Sequence, residues 1–395
     1  MSFQQVLVDE LSEFLAIPSV SADPARAGDV RAAAEWVSGL VRAGGGTCDL
    51  APTGTGHPLV VGELRASAGA TRAPTVMAYG HFDVQPAGDL TPWESEPFRP
   101  ELRDGWLYGR GTVDDKGNLY ILLKAAGRLA QNGELPVNVR VICDGEEEIG
   151  GSSVVDFLQA DRRGADACVI FDSVMPRLDT PSFEVGTRGL VYFRVRVRTG
   201  ERDLHSGLYG GAAQNALHVL SDTLAAVTCV PDALRAGVID PTPEEGEAWG
   251  ELDPGADVLA AEGARPADDR AAEDFYPRTF AAPAVDVNGI RGGEADLVKT
   301  VLPVEAHAHV SIRLAPGQDV EAISLAFETL MRERLAPGAD LDVERVNAIP
   351  AGRVDPSARA IVLARDAFER ALGRRPLLTR TGGTLPIVPA LEAKG

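Results

Sequence analysis

Residues 74–83, PTVMAYGHFD, limit what this chain can fold into more than any other stretch. Thr75, Val76, Met77, Ala78 and Tyr79 are the β-branched and apolar residues of a buried strand, and the run ends in Gly80, His81, Phe82 and Asp83. Side chains alternate across a strand, so His81 and Asp83 take one face and Phe82 the other. An imidazole and a carboxylate therefore meet at a strand's carboxyl end, which is where open α/β sheets bind ligands.

The same event recurs downstream. A strand over 137–143 empties into DGEEEIGG, which sets Glu147 and Glu148 ahead of a Gly-Gly turn, and a strand over 167–171 ends in Asp172. Between them, Asp114 and Asp115 open a helix predicted over 118–130, with Leu119, Leu122, Leu123, Ala126 and Leu129 as its apolar stripe. Three consecutive glutamates wedged between a buried strand and a turn repel one another unless something cationic gathers them. One sheet edge thus collects an imidazole and several carboxylates. Borderline divalent metals such as zinc take that mixture of nitrogen and oxygen donors, and carboxylates that bridge two ions are the usual ingredient of two-metal hydrolases.

The chain has 395 residues, a length that predicts two or three domains. Helices at 3–16 and 30–41 and a strand at 58–64 precede the central strand, giving the alternation of a mostly parallel α/β sheet. From Gly186 the pattern changes: Val191, Phe193, Val195 and Val197 alternate with Arg194, Arg196 and Arg198, a strand with one buried and one wet face. A helix at 214–227, strands at 284–290 and 304–314, a helix at 320–335 and a strand at 341–347 complete the order β-α-β-β-α-β of a ferredoxin-like sandwich. The acidic stretch 231–273 reads as an insertion loop with no chemistry of its own, and His307 and His309 as groups on the wet face. A helix to 372, a strand at 376–380 and the segment RTGGTLP then resume the α/β pattern. A second domain inserted into the first describes this order: 1–186 and 348–395 form the domain that carries the metal-type residues, and 187–347 form the insert.

Charge and cysteines narrow the setting. Lys plus Arg number 38 against 58 Asp plus Glu, a net charge of −20, and such a field argues against nucleic acid as a partner. No apolar run reaches membrane-spanning length, so no membrane partner is expected. The four cysteines show no C-x-x-C spacing and read as reduced thiols, and residues 1–18 lack a basic leader, which together predict a cytoplasmic location.

With these residues assembled, the sequence resembles the M20 metallopeptidases, and among them the cytosolic nonspecific dipeptidase and carnosinase-like branch. The motifs that carry the resemblance are GHFDVQP, LYGRGTVDDKGN, DGEEEIGG, the strand end at Asp172, GTRG, DLHSGLYGG, VSIRL and RTGGTLP. The resemblance implies a zinc-peptidase-like catalytic domain with an inserted lid and dimerisation domain. It implies two divalent ions per subunit, zinc first and manganese as the alternative. His81, Asp114, Glu148 and Asp172 are the implied ligands, with Asp114 bridging, and Asp83 holds the imidazole of His81 from behind. Glu147 is the implied general base for a metal-bridged hydroxide that attacks the peptide bond of a small peptide.

On the insert, the resemblance gives His205 to the partner's active site in a homodimer, where it stabilises the oxyanion. It gives Arg313 to the substrate's C-terminal carboxylate, with Gly383 and Thr384 beside it at the start of a short helix. The peptide bond after the bridging aspartate is often cis in such proteins. Family members also carry a further metal-binding histidine beyond the GGT loop. The sequence stops at Gly395 ahead of such a segment, so either 348–395 is a shortened form or the second ion is held by fewer ligands than the first. Two other readings stand beside the dipeptidase: an amidase or deacylase acting on N-acyl amino acids, and a non-catalytic binding protein that has lost full metal occupancy.

Overall fold

The computed structural model describes residues 2–54, 56–67 and 73–394. They form two compact units, Met1–Val174 and Met175–Gly395. The 348–395 segment packs within the second unit, together with the 187–347 segment.

The first unit contains strands β1 (Thr47–Ala51), β2 (Leu59–Leu64), β3 (Thr75–His81), β4 (Glu101–Arg103), β5 (Trp106–Tyr108), β6 (Asn138–Asp144) and β7 (Ala167–Ile170). Its helices are α1 (Phe3–Leu15), α2 (Ala27–Ala43), α3 (Lys116–Gln131) and α4 (Ser153–Ala160). Five strands form one sheet in the order β1-β2-β6-β3-β7. β6, β3 and β7 run parallel, while β1 and β2 add an antiparallel edge. Every residue of β6 is buried, the polar Asn138, Arg140 and Asp144 included, and Arg140 is paired there with Asp161 at 2.8 Å. Helices α2 and α3 lie on this sheet, and Phe14, Val37, Phe82, Leu119, Leu123 and Val141 belong to the core they share with it. A side-chain carbon on Gly44 would come within 2.8 Å of the Gly127 backbone, so two bare glycines let α2 and α3 approach this closely.

The second unit contains strands β8 (Ser182–Thr187), β9 (Gly189–Arg198), β10 (Leu204–His205), β11 (Ala284–Gly292), β12 (Val301–Leu302), β13 (Glu305–Leu314), β14 (Asp340–Ile349), β15 (Gly352–Arg353) and β16 (Leu377–Thr381). Its helices are α5 (Ser206–Tyr209), α6 (Ala216–Thr228), α7 (Pro243–Trp249), α8 (Gly255–Ala261), α9 (Val320–Arg334), α10 (Arg359–Leu372) and α11 (Ile387–Glu392). The four-stranded sheet runs β11-β13-β9-β14 with every neighbour antiparallel. In chain order the strands sit 4-1-3-2, the split βαβ arrangement the sequence pattern predicts. Helices α6 and α9 share its core, where Phe193 stacks on Phe327 at 4.4 Å between ring centres. A separate small sheet, β15-β8-β16, carries β16 parallel to β8.

Two expectations need correction, and one strand lies outside all of them. The strand β1 had no clear sequence signal, because TCDLA mixes polar and apolar residues; its pairing with β2 is what orders it. The acidic stretch is not a loop: it folds into α7 and α8, and a capping box joins Thr242 and Glu245 at the start of α7. The short helix expected from Gly383 and Thr384 begins instead at Ile387, after Pro386, because the amide of Gly383 turns back to the Thr381 hydroxyl at 3.1 Å.

Candidate metal centre

The parallel strands set the site. His81 ends β3 and sits opposite Asp144 at the end of β6, while Asp172 lies two residues beyond β7. The His81 ring is fully buried. Its Nδ1 lies 3.0 Å from the carbonyl of Asp83 and 3.3 Å from the Asp83 carboxylate. A proton on Nδ1 donated to that carbonyl leaves the Nε2 lone pair outward. Nε2 is 3.0 Å from Asp114 Oδ1 and 3.8 Å from Asp172 Oδ1. One donor atom from each of His81, Asp114 and Asp172 lies within 4.8 Å of the others, and this is the group among the described residues suited to a metal ion.

The supporting contacts tie the site to the fold. Asp83 Oδ2 accepts from the Ser21 hydroxyl at 2.6 Å and from the Glu148 amide at 3.2 Å, so one carboxylate links β3, the segment after α1 and the glutamate turn. The Asp114–Asp115 peptide bond is cis. Asp115 is fully buried, and its Oδ2 accepts the His81 amide at 3.0 Å. Gly80 makes this seat available, since a side-chain carbon there would stand 2.5 Å from Asp115 Oδ2 and 3.1 Å from Leu119. Lys116, also fully buried, donates from Nζ to the carbonyls of Phe14 and Ile17 at 3.1 and 2.6 Å and pins the aspartate loop to the end of α1.

The glutamate run divides by role. Glu146 is buried and accepts from the Ser153 hydroxyl at 2.6 Å, a contact inside the fold. Glu147 and Glu148 lie on a short 3₁₀ turn closed by Gly150, whose φ of 65° suits glycine. Glu148 is held at both oxygens by Gln85, from its amide at 3.1 Å and its side chain at 2.8 Å. The Gln85 contact was not read from the sequence, although GHFDVQP contains it. The supporting contacts of Ser21, Asp115 and Lys116 have no clear sequence signal either, beyond the polar run DDK at the start of the predicted helix.

Electrostatics follow from burial and crowding. Burial opposes charge on His81, yet the Asp114, Asp172 and Asp83 carboxylates outweigh it and hold the imidazole well above its usual range. Hydrogen bonding to His81 lowers Asp114. Burial pushes Glu147 up to about 7; His81 opposes the rise, and Asp172, Glu148 and Asp83 add to it. Burial likewise raises Asp144 to about 7 and Asp115 to about 9, and lowers Lys116 to about 7. A cation placed against Nε2, Asp114 and Asp172 relieves this crowding, and one imidazole with two carboxylates suits a divalent metal.

In the second unit, His205 is exposed and its Nδ1 accepts the Gly207 amide at 3.0 Å. Arg313 donates to the Thr384 hydroxyl at 2.9 Å, and Arg188 of the GTRG segment donates to the Gly382 carbonyl at 3.2 Å. Burial lowers Arg188 to about 10, and the charge on Arg313 adds to the shift. Neither arginine makes an ion pair among the described residues; each lies beside a loop rich in backbone groups.

The family model for peptidase family M20/M25/M40 matches residues 77–387. The cysteinylglycine-S-conjugate dipeptidase of Corynebacterium striatum is 27% identical over 98% of this chain and 85% of its own length. The β-Ala-His dipeptidase of Rattus norvegicus is 28% identical over 85% of this chain and 70% of its own. Among solved structures, human carnosine dipeptidase 1 superposes with a TM-score of 0.76 at 25% identity over 99% of this chain and 87% of that one. An M20 metallo-carboxypeptidase from Sulfolobus solfataricus gives 0.82 at 24% identity, covering 98% and 88%, and shares the fold. With most of its length matched, the chain belongs to peptidase family M20/M25/M40, a class of metal-dependent hydrolases of peptide bonds. Among the described residues no helix is long and apolar enough to cross a membrane.

The fit of Asp115 against Gly80 yields a direct test. Gly80→Ala would force the Asp115 carboxylate off the His81 amide, and overpacking of this kind costs about 1–3 kcal/mol. Chemical denaturation measures the loss; an unchanged midpoint would show that the aspartate loop has room to move.

Proposed function

We propose that this protein hydrolyses dipeptides with two divalent ions, zinc by preference, and with Glu147 as general base. The observation that carries the proposal is the orientation of His81: Nδ1 is engaged by Asp83, and Nε2 faces the carboxylates of Asp114 and Asp172. Residues 1–186 and 348–395 are the proposed catalytic domain, with 187–347 as lid. His81, Asp114 and Asp172 would hold one ion, and Asp114 with Glu148 would hold the second. Such ions, when bound, polarise the amide carbonyl and make a nearby water a stronger acid.

The chain's own groups do the rest. Burial and neighbouring carboxylates bring Glu147 to about 7, the range in which a base accepts and returns a proton near neutrality. Glu147 takes the proton of the attacking water and delivers it to the leaving amine. Arg313, steadied by Thr384, receives the substrate's C-terminal carboxylate through a charged hydrogen bond, with Gly383 in the same loop. His205 stabilises the developing oxyanion, contributed in trans within a homodimer.

Two outcomes follow. Glu147→Gln keeps its zinc and loses roughly 10²–10⁴-fold in Ala-Ala hydrolysis, because an amide holds position but accepts no proton. Undiminished turnover would remove Glu147 from the mechanism, and preference for N-acetylalanine over Ala-Ala would move the substrate class to N-acyl amino acids. For assembly, inactive His205→Ala and inactive Glu147→Gln chains mixed under verified subunit exchange should recover part of the activity, since one hybrid site has both groups intact. No recovery counts against a shared site.

A further inference from the structure

The acidic stretch 231–273 reaches the loop that holds Arg313. Its helix α7 presents Glu245, whose side chain is 3% exposed, to Arg380, also 3% exposed, with Nε–Oε1 at 2.5 Å and Nη2–Oε2 at 3.2 Å. Arg380 also donates to the carbonyls of Ile239 at 3.2 Å and Asp240 at 3.3 Å, again from the acidic stretch. Every bond of this guanidinium therefore runs to one segment of chain.

Arg380 is the next-to-last residue of β16, and the loop it launches is built from short contacts. The Thr381 hydroxyl accepts the Gly383 amide at 3.1 Å, the Thr381 carbonyl accepts the Arg188 amide at 3.3 Å, and the Thr384 hydroxyl accepts from Arg313 at 2.9 Å. Two flanking pairs with exposed glutamates also start from this segment, Glu244 accepting from Arg365 at 2.7 Å and Glu251 from Arg374 at 2.6 Å, but the Glu245–Arg380 pair alone of the three is buried on both sides. A buried ion pair of this kind adds little net stability over an apolar pair of the same volume, because desolvation offsets the attraction. It does fix one geometry, since the bidentate fork tolerates little rotation.

We propose that Glu245 and Arg380 are positioning residues for substrate recognition: the acidic segment clamps the root of the 381–384 loop so that Thr384 orients Arg313 toward the substrate's carboxylate. This rests on the carboxylate role given to Arg313 above. The contact lies wholly within the second unit.

The test measures how strongly the protein prefers Ala-Ala over Ala-Ala-amide, which lacks the carboxylate. Zinc-loaded Glu147→Gln protein, blocked in turnover, is titrated with each ligand by calorimetry, and the acid should bind about 10–100-fold tighter. Adding Glu245→Gln, which keeps the capping box of α7, should cut that preference about tenfold and leave Ala-Ala-amide binding unchanged. Arg380→Lys, which keeps the charge but loses the fork, should act the same way and serves if the first variant does not fold. Arg313→Ala is the reference and should abolish the preference. If Arg313→Ala abolishes it while both clamp variants retain it, the clamp is overturned and the carboxylate role stands. Equal weakening of acid and amide by the clamp variants also overturns it, because that is the mark of a merely structural role. If Arg313→Ala leaves the preference intact, the carboxylate role fails and the clamp falls with it.

Discussion

Everything at the candidate metal centre depends on one buried imidazole held from one side. His81 lies at the end of a strand that is interior to its sheet, and the Asp83 carbonyl takes its Nδ1. That contact decides which nitrogen remains free, and the free one meets Asp114 and Asp172. The ring is buried while the Asp114 side chain stays exposed and Asp172 is half-buried, and carboxylates crowded around one ring repel one another until a cation joins them. The carboxylates raise the imidazole against its burial, and burial first, with neighbouring carboxylates adding to it, raises Glu147.

Around that imidazole the fold supplies restraint rather than chemistry. Gly80 clears space for Asp115, Asp115 takes the His81 amide, and Lys116 ties the same loop to the carbonyls at the end of α1. Asp83 then joins Ser21 and Glu148. Segments more than sixty residues apart in sequence are thereby fixed around one ring. The second unit uses the same device at another place, where the acidic segment holds the strand that leads to Thr384.

The central strand was legible because alternation and a sudden change from apolar to polar residues are local signals. His81, Asp114 and Asp172 come together in the structure as that reading expects. The order of the ferredoxin-like sheet was legible for the same reason: Val191, Phe193, Val195 and Val197 face a core while their arginine neighbours face away. What sequence did not reveal are contacts closed by the tertiary fold. Gln85 gives no hint that both oxygens of Glu148 rest on it, and Glu245 looks like one more surface acid until Arg380 is seen beside it. Composition misled there, since a charged stretch usually means a solvated loop and this one buries a carboxylate.

The central claim is that His81, Asp114 and Asp172 bind a divalent ion, and X-ray absorption at the zinc edge of the zinc-loaded protein tests it most directly. The account predicts nitrogen and oxygen neighbours at about 2.0–2.2 Å, an imidazole contribution that disappears in His81→Ala, and no sulfur. A sulfur neighbour at about 2.3 Å, or an imidazole contribution that persists in His81→Ala, would place the metal elsewhere and contradict the account.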